Sequence, residues 1–252
     1  APLTAYVEGQ NNAAGGGGGS VGNIGDEKSL TSGFPMAKIY YDGPTAKKQI
    51  VIHHTAGSTK SPSRTIAGWS KRTDHVATHY ITNNLGDKEQ LFADEAWANH
   101  LGVKGSQFRQ FGVAYQNLNK TSLGIEMQAF GGLKKKDGKY FTYVNSEIDA
   151  SRVAVPVDKN GNPTTYKGYS YYEKYNAANI QSVKEIVQGW MRKYGIPFVY
   201  DYDVLFPASP VKVAFEGTPG VYTHNSFRSG KSDVFPQKEL IDMFKSIATK
   251  IV

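Results

Sequence analysis

Two adjacent histidines, His53 and His54, are the first residues along the chain whose type suggests chemistry. They end the apolar, β-branched run Gln49–Ile52 and are soon followed by the small pair Ala56-Gly57. Valine and isoleucine favour the buried surface of a sheet, and small residues suit the turn that leaves a strand. Successive side chains of a strand point to opposite faces, so only one of the two imidazoles can face a given site. Packing in the core remains open for both.

The loop 223–233 supplies a second group of polar side chains, far along the chain from the histidine pair. It contains His224, Lys231 and Asp233 among serine and glycine residues. Catalytic zinc sites typically take three ligands from histidine and carboxylate side chains and keep a fourth position for water. His53, His224 and Asp233 would form such a set, although the spacing of His224 and Asp233 alone equally fits capping or surface roles.

The composition limits the classes of function. The chain of 252 residues contains no cysteine, which excludes disulfides, cysteine-based zinc sites and thiol nucleophiles. The formal net charge of +7 favours anionic partners such as nucleic acid, anionic lipid or an anionic cell wall, or simply gives a basic surface. The sequence shows no recognised nucleic-acid-binding motif and no apolar run near the roughly 20 residues that span a bilayer. We therefore expect neither nucleic acid nor a membrane as partner.

Strand and helix patterns alternate along most of the chain, which predicts an α/β fold in which helices cover a central sheet. The best helix pattern runs from about Asn176 to Tyr194, where apolar residues recur at three- and four-residue spacing before Gly195. A last amphipathic helix begins near Pro236 and carries Ile251 on its buried side. The remaining predictions are a helix opened by Ser61-Pro62-Ser63 and, besides the histidine run, strands at Lys38–Tyr41, Val76–Thr82, Gln90–Phe92 and Ser122–Met127.

Two segments fall outside this alternation. Residues 1–36 are weakly patterned and rich in glycine, which predicts an N-terminal extension or linker. Residues 129–172 are typical of an inserted β-rich arm, with hairpin-like turns at 134–139 and 158–163. A group of tyrosines near the end of the arm suits either stacking on sugar rings or a small satellite core: Tyr166, Tyr169, Tyr171 and Tyr172.

Four short motifs follow one another in the order Val51–Gly57, Thr78–Ile81, Gly124–Glu126 and His224 with Lys231–Asp233. In this order, with helices between them, they resemble the zinc-dependent N-acetylmuramoyl-L-alanine amidases of type 2. These enzymes are related to peptidoglycan recognition proteins and occur among phage endolysins and bacterial autolysins. The resemblance spans roughly residues 38–130 and 173–251. It implies a mixed central β-sheet flanked by helices, with 37–252 as one catalytic domain into which the arm at about 129–172 is inserted.

The resemblance also implies a role for each matching residue. The ligand set that it implies for Zn2+ is His53 from the strand with His224 and Asp233 from the loop. Glu126 matches the acidic residue that acts as general base, and Lys231 matches the lysine that helps to stabilise the oxyanion. These residue types suit amide hydrolysis, which needs an activated water, a group that moves its proton and a positive charge beside the tetrahedral intermediate.

The chain also departs from the family pattern. Thr78 stands where some members carry a tyrosine that assists catalysis, so catalysis here is expected to depend more on Glu126. The Trp-His motif of the family occurs here with extra residues between tryptophan and histidine, and His54 is expected on the opposite side of the sheet as a structural residue. A loop arginine would suit a stem-peptide carboxylate, although a solvated role fits it equally. The candidate substrate contacts are Thr78, Trp97, Asn99, His100 and Arg228.

The leading hypothesis is a peptidoglycan hydrolase that cleaves the amide bond between N-acetylmuramic acid and L-alanine of the stem peptide by a zinc-activated water. The alternative is a non-catalytic peptidoglycan-binding module, as in family members that lost their metal ligands. For either function we expect bacterial peptidoglycan as the partner and a monomer as the acting species. We expect the protein at the cell wall, either as an extracellular protein or after release during phage lysis.

Overall fold

The structure, a computed structural model, describes residues 39–57 and 61–252. The predicted extension at 1–36 lies outside the described residues. Within the described part of the chain, twelve strands form in this order: β1 Gln49–His54, β2 Tyr80–Thr82, β3 Lys88–Gln90, β4 Ser122–Met127, β5 Gly132–Lys136, β6 Lys139–Phe141, β7 Glu147–Ile148, β8 Val153–Ala154, β9 Tyr171–Glu173, β10 Val199–Tyr200, β11 Gly220–Thr223 and β12 Lys250–Ile251.

Seven α-helices, four of them of six residues or fewer, accompany these strands in the described ranges. They are α1 Ser63–Ser70, α2 Gly105–Gln110, α3 Leu118–Thr121, α4 Ala177–Tyr194, α5 Tyr202–Leu205, α6 Lys212–Phe215 and α7 Lys238–Ile247. Single turns of 3-10 helix occur at Ala150–Arg152 and His224–Ser226.

The central sheet is mixed and has the strand order β11-β1-β4-β2-β3. Strands β11, β1, β4 and β2 run parallel, and β3 is antiparallel to β2 at one edge. The carboxyl ends of the four parallel strands therefore meet at one edge of the sheet, which is where ligands bind in open α/β sheets. The α/β fold with a mixed sheet and flanking helices is confirmed.

The two faces of β1 serve different purposes. Ile50 and Ile52 pack into a large core with residues of α4 and α7, such as Val187 and Phe244. Val51, on the other face, packs in a separate cluster with residues that include Phe227. The alternation that predicted this strand from sequence thus separates the main core from the face that carries His53.

The two longest helices follow the sequence prediction closely. The side chain of Asn176 caps α4 by accepting a hydrogen bond from the backbone N–H of Asn179, and Gly195 ends the helix with a positive φ of 63°. The last helix ends at Ile247. The prediction that Ile251 lies on its buried side was wrong, because Ile251 belongs to β12 and is 57% exposed.

Two predicted strands are shorter or shifted. In the segment 76–82 only Tyr80–Thr82 forms a strand, because the Thr78 hydroxyl donates to the Tyr80 carbonyl and Val76 pairs with Asn99 outside the sheet. The strand predicted at 90–92 lies at Lys88–Gln90 instead.

The inserted arm is an antiparallel sheet with the strand order β7-β6-β5-β9-β8. Two of the four tyrosines that close the arm, Tyr166 and Tyr172, belong to the core, and Tyr172 stacks on Phe235 with ring centroids 4.2 Å apart. Tyr171 instead contacts the ring of Tyr140 within the arm. The arm also touches the rim of the central sheet, since the exposed Tyr143 donates a hydrogen bond to the Ala56 carbonyl at 3.0 Å.

Candidate active site

The sheet brings His53 and Glu126 together at its carboxyl edge. They are register partners on the adjacent parallel strands β1 and β4, so their side chains project from the same face. Glu126 lies one residue before the end of β4, and β11 ends at Thr223, directly before His224. Three parallel strands therefore deliver a histidine, a carboxylate and a second histidine to one place.

The loop after β11 folds back so that its two ends meet. His224 opens the 3-10 turn His224–Ser226, and the side-chain amide of Asn225 donates to the Val234 carbonyl at 2.8 Å. This bond joins the residues next to His224 and Asp233, and Nδ1 of His224 lies 2.8 Å from Oδ2 of Asp233. Nδ1 of His53 lies 3.8 Å from the same oxygen.

His53, His224 and Asp233 are all buried, and one candidate ligand atom of each lies within 4.8 Å of the other two. The hydrogen bonds of His224 show why this arrangement suits a cation. Its Nε2 faces the Leu101 carbonyl at 3.0 Å and its Nδ1 faces the Asp233 carboxylate, so both ring nitrogens meet acceptors. A neutral imidazole has one N–H, and the carbonyl can only accept it. The carboxylate also only accepts, so a neutral ring cannot donate to both groups, and a metal ion bound at Nδ1 would take the place of the missing proton.

Burial keeps His53 and His100 neutral. Burial, reinforced by the nearby His224 and His100, lowers the pKa of His53 well below its ordinary value. Burial similarly lowers the pKa of His100 to about 3. For Asp233, burial acts to raise the pKa, but its ion pair and hydrogen bond with His224 outweigh this and hold the pKa below the ordinary value. Neutral imidazoles beside an ionised carboxylate are the protonation states that metal binding requires.

Glu126 and Lys231 lie beside this cluster and influence each other. Burial, together with the negative charge of Asp233, raises the pKa of Glu126 well above its ordinary value, while the ammonium group of Lys231 acts in the opposite direction. A raised pKa makes the carboxylate a stronger base, which suits a group that accepts a proton and later returns it.

These groups line a cavity of about 320 Å³. The lining includes the five residues to which the sequence assigned metal binding or catalysis: His53, His224, Asp233, Glu126 and Lys231. Of the candidate substrate contacts, Thr78 and His100 also line it. His100 is not a free contact, because its two ring nitrogens bond His53 and Ser122.

The other three candidate substrate contacts lie outside the lining of this cavity and have partners of their own. Trp97 stacks on Tyr41, and the Asn99 amide donates to the Asp74 carbonyl. Arg228 donates to the Gly102 carbonyl at 2.8 Å. Their roles in substrate binding stay predictions.

Several lining residues were not identified from the sequence. Trp69 lines the cavity from α1, although its pattern there indicated only a helix face. His54 shares a hydrogen bond of 2.6 Å with the buried Tyr175 hydroxyl and packs near Gly131, as a structural residue would, yet it also borders the cavity. Ser122 lies outside this lining, but it starts β4 and shares a face with Glu126 by simple alternation.

The fold and the cleft define a class of protein: an α/β domain with a buried cluster of two histidines and an aspartate, beside a buried glutamate, at the carboxyl edge of its sheet. The family model described as N-acetylmuramoyl-L-alanine amidase, Amidase_2, matches residues 43–236. The chain therefore belongs to the N-acetylmuramoyl-L-alanine amidase family and is a peptidoglycan amidase.

Solved structures give more distant likenesses. The amidase LysC from Clostridium intestinale URNW is 12% identical, with a TM-score of 0.41, 80% of this chain and 85% of that chain covered. The Ph2119 endolysin from the Thermus scotoductus MAT2119 bacteriophage Ph2119 is 13% identical, with a TM-score of 0.39 and coverage of 82% and 90%. The Staphylococcus aureus hydrolase AmiA is 12% identical, with a TM-score of 0.41 and coverage of 81% and 77%. Function is assigned from the family match, not from these likenesses.

No curated protein sequence matches the chain. Among the helices of the described residues, none combines the length and the apolar character needed to cross a membrane.

Proposed function

We propose that this amidase uses zinc held by His53, His224 and Asp233 to hydrolyse the amide bond between N-acetylmuramic acid and L-alanine. The observation that carries the proposal is the convergence of two imidazoles and one carboxylate within 4.8 Å, in the cavity that also contains Glu126 and Lys231. Two histidines and one carboxylate are a common ligand set of catalytic zinc, and the chain offers no thiolate in competition.

Bound zinc would supply Lewis acidity and lower the pKa of water in the site to about 7. The other steps belong to side chains of this chain. Glu126 accepts a proton from the attacking water as oxygen bonds to the lactyl carbonyl carbon, and it returns that proton to the amide nitrogen as the C–N bond breaks. The products are a lactyl carboxylate and a free amino terminus on L-alanine.

Lys231 has a different task. Its ammonium group lines the same cavity and can face the carbonyl oxygen, on which negative charge develops during attack. In a cleft with limited access to water, a fixed positive charge stabilises that oxygen more strongly than solvent does.

The peptidoglycan of the bacterial cell wall is the proposed partner, and the protein is proposed to act there as a monomer. The net charge of +7 supports attraction to an anionic wall. We propose an extracellular site of action, or one reached by release during phage lysis.

The proposal is tested by measuring the amino termini released from purified peptidoglycan together with the zinc content of the protein. Chelation should abolish release and added zinc should restore it. His224→Ala should lose both zinc and activity, whereas the matched variant His75→Ala, outside the cluster, should keep both. Full activity in metal-free protein would contradict the proposal, as would a chain that binds walls with zinc present and never cuts them.

A further inference from the structure

A chain of hydrogen bonds runs from His53 away from the cavity to the backbone of α3. Nε2 of His53 lies 2.9 Å from Nδ1 of His100, and Nε2 of His100 lies 2.8 Å from the Ser122 hydroxyl. That hydroxyl donates to the Leu118 carbonyl at 2.8 Å. Ser122 itself is fully buried and is not among the residues that line the cavity.

The direction of every bond in this chain is set by its last member. The Leu118 carbonyl only accepts, so the Ser122 hydroxyl must donate its hydrogen there and must accept from His100 with a lone pair. His100 therefore carries its proton on Nε2 and accepts at Nδ1. The proton of His53 must then lie on Nε2, which leaves the lone pair of Nδ1 directed towards Asp233.

The backbone beside His100 sets the second histidine in the same way. The Leu101 carbonyl accepts from Nε2 of His224. The nitrogen of that ring that remains for a metal ion is therefore Nδ1, which lies 2.8 Å from Asp233. The backbone N–H groups of His100 and Leu101 both donate to the side-chain carbonyl of Asn119, at 3.0 Å each. The dipeptide His100-Leu101, held by Asn119, thus places a proton on Nε2 of both His53 and His224.

Packing keeps His100 in this position. The ring lies over Gly124, where a Cβ would come within 3.2 Å of its Nδ1 and 2.9 Å of the Thr78 side chain. Gly124 lies between Ser122 and Glu126 on the same face of β4, so the missing side chain makes the room through which His100 connects Ser122 to His53.

We propose that Ser122, acting through His100, is a positioning residue that fixes the tautomer of His53 and directs the Nδ1 lone pair of that ring at the metal. This rests on the proposed role of His53 as a ligand. Bonds behind a metal-ligating histidine set its tautomer and orientation, and their loss typically costs about 10–100-fold in metal affinity.

The first test needs no variant. Long-range 1H–15N correlation spectra of the metal-free, 15N-labelled full chain report which ring nitrogen of each histidine carries the proton. His53, His100 and His224 should all be protonated on Nε2. Protonation of His53 or His100 on Nδ1 would overturn the proposal, whatever any variant does.

The second test compares Ser122→Ala with Ser146→Ala, which changes an exposed serine of the arm. Zinc affinity is measured by competition with a chromophoric chelator, and folding is checked by thermal unfolding. Ser122→Ala should raise the zinc Kd by about 10–100-fold and give His100 a mixture of tautomers, whereas Ser146→Ala should match the wild type. A purely structural role would lower the melting temperature while the tautomers stay unchanged, and that result would overturn the proposal.

The proposed function and the role of Ser122 can be refuted separately. A wild-type chain without a stoichiometric zinc site would refute the proposed function and, with it, this inference. A wild-type chain that binds zinc, beside a Ser122→Ala variant with the same Kd and the same tautomers, would refute only the role of Ser122.

Discussion

The candidate site has two halves that are built in different ways. The sheet half consists of His53 and Glu126, which are held by the six-residue register between β1 and β4. The loop half consists of His224, Lys231 and Asp233, which follow β11 in a segment of single turns. The sheet half is part of the folding core, whereas the loop half is ordered by a few side-chain bonds, such as that from Asn225 to the Val234 carbonyl.

The two halves differ in what they contribute to the site. The sheet edge fixes the positions of the proposed ligand His53 and the proposed acid–base group Glu126 without a metal ion, and such preorganisation favours catalysis. The loop supplies the other two proposed ligands and Lys231. We therefore expect the two halves to be equally necessary for metal binding and unequally sensitive to its removal.

The largest expected effect tests whether both halves are needed for metal binding. His53→Ala removes the proposed ligand of the sheet half, and His224→Ala removes one of the two proposed ligands of the loop half. Each should reduce kcat/KM by about 10³-fold or more, because the activated water is lost with the metal. Zinc content by mass spectrometry and amidase rates on purified walls measure this. Retention of zinc in either variant would assign the ligand role to another residue.

The next effect separates catalysis from metal binding within the sheet half. Glu126→Gln keeps the size of the side chain and removes its capacity to move a proton. We expect a loss of about 10²–10⁴-fold in kcat with zinc content unchanged. Near-normal rates in this variant would show that another group accepts the proton.

A smaller effect is expected from the cation of the loop half. Lys231→Ala should reduce kcat by about 10²–10³-fold, because the charge on the carbonyl oxygen loses one of its stabilising partners, and zinc should stay bound. Lys134→Ala, a matched exposed lysine in the arm, is the control. Equal effects of the two substitutions would point to general attraction to the wall instead of oxyanion stabilisation.

The smallest effect addresses how the loop half is held. Asn225→Ala removes the donor to the Val234 carbonyl, and a buried acceptor without a partner costs about 1–3 kcal/mol. We expect that loss in the free energy of unfolding, together with weaker zinc binding. Hydrogen exchange should also show that chelation deprotects 223–233 more than β1 or β4. Uniform deprotection would remove the distinction between the halves.

The sequence predicts the sheet half better than the loop half, for a physical reason. Apolar, β-branched runs identify β1 and β4 with the bounds that the structure gives, and the alternation of side chains along a strand places His53 and His54 on different faces. The loop half depends on contacts such as that of His224 with the Leu101 carbonyl, across 123 positions of sequence. Such contacts leave no local pattern, so the residue types alone left the grouping of His224 and Asp233 with His53 open, and the resemblance to a family was needed to imply it.

The absence of a local pattern also explains why sequence patterns assigned other roles to residues around the proposed ligands. His100 was assigned to the substrate through a motif, whereas its bonds join it to His53 and Ser122. Trp69 was assigned to a helix face because periodicity reports burial and not which cavity a face borders. The shift of the strand predicted at 90–92 to Lys88–Gln90 is a boundary error of the kind that short strands invite.

Anomalous diffraction at the zinc edge from crystals of the zinc-loaded chain tests the central claim most directly. The account predicts one peak about 2.0–2.2 Å from Nδ1 of His53, Nδ1 of His224 and a carboxylate oxygen of Asp233. A zinc ion coordinated by Nε2 of either histidine, or zinc bound only elsewhere in the molecule, would contradict this prediction.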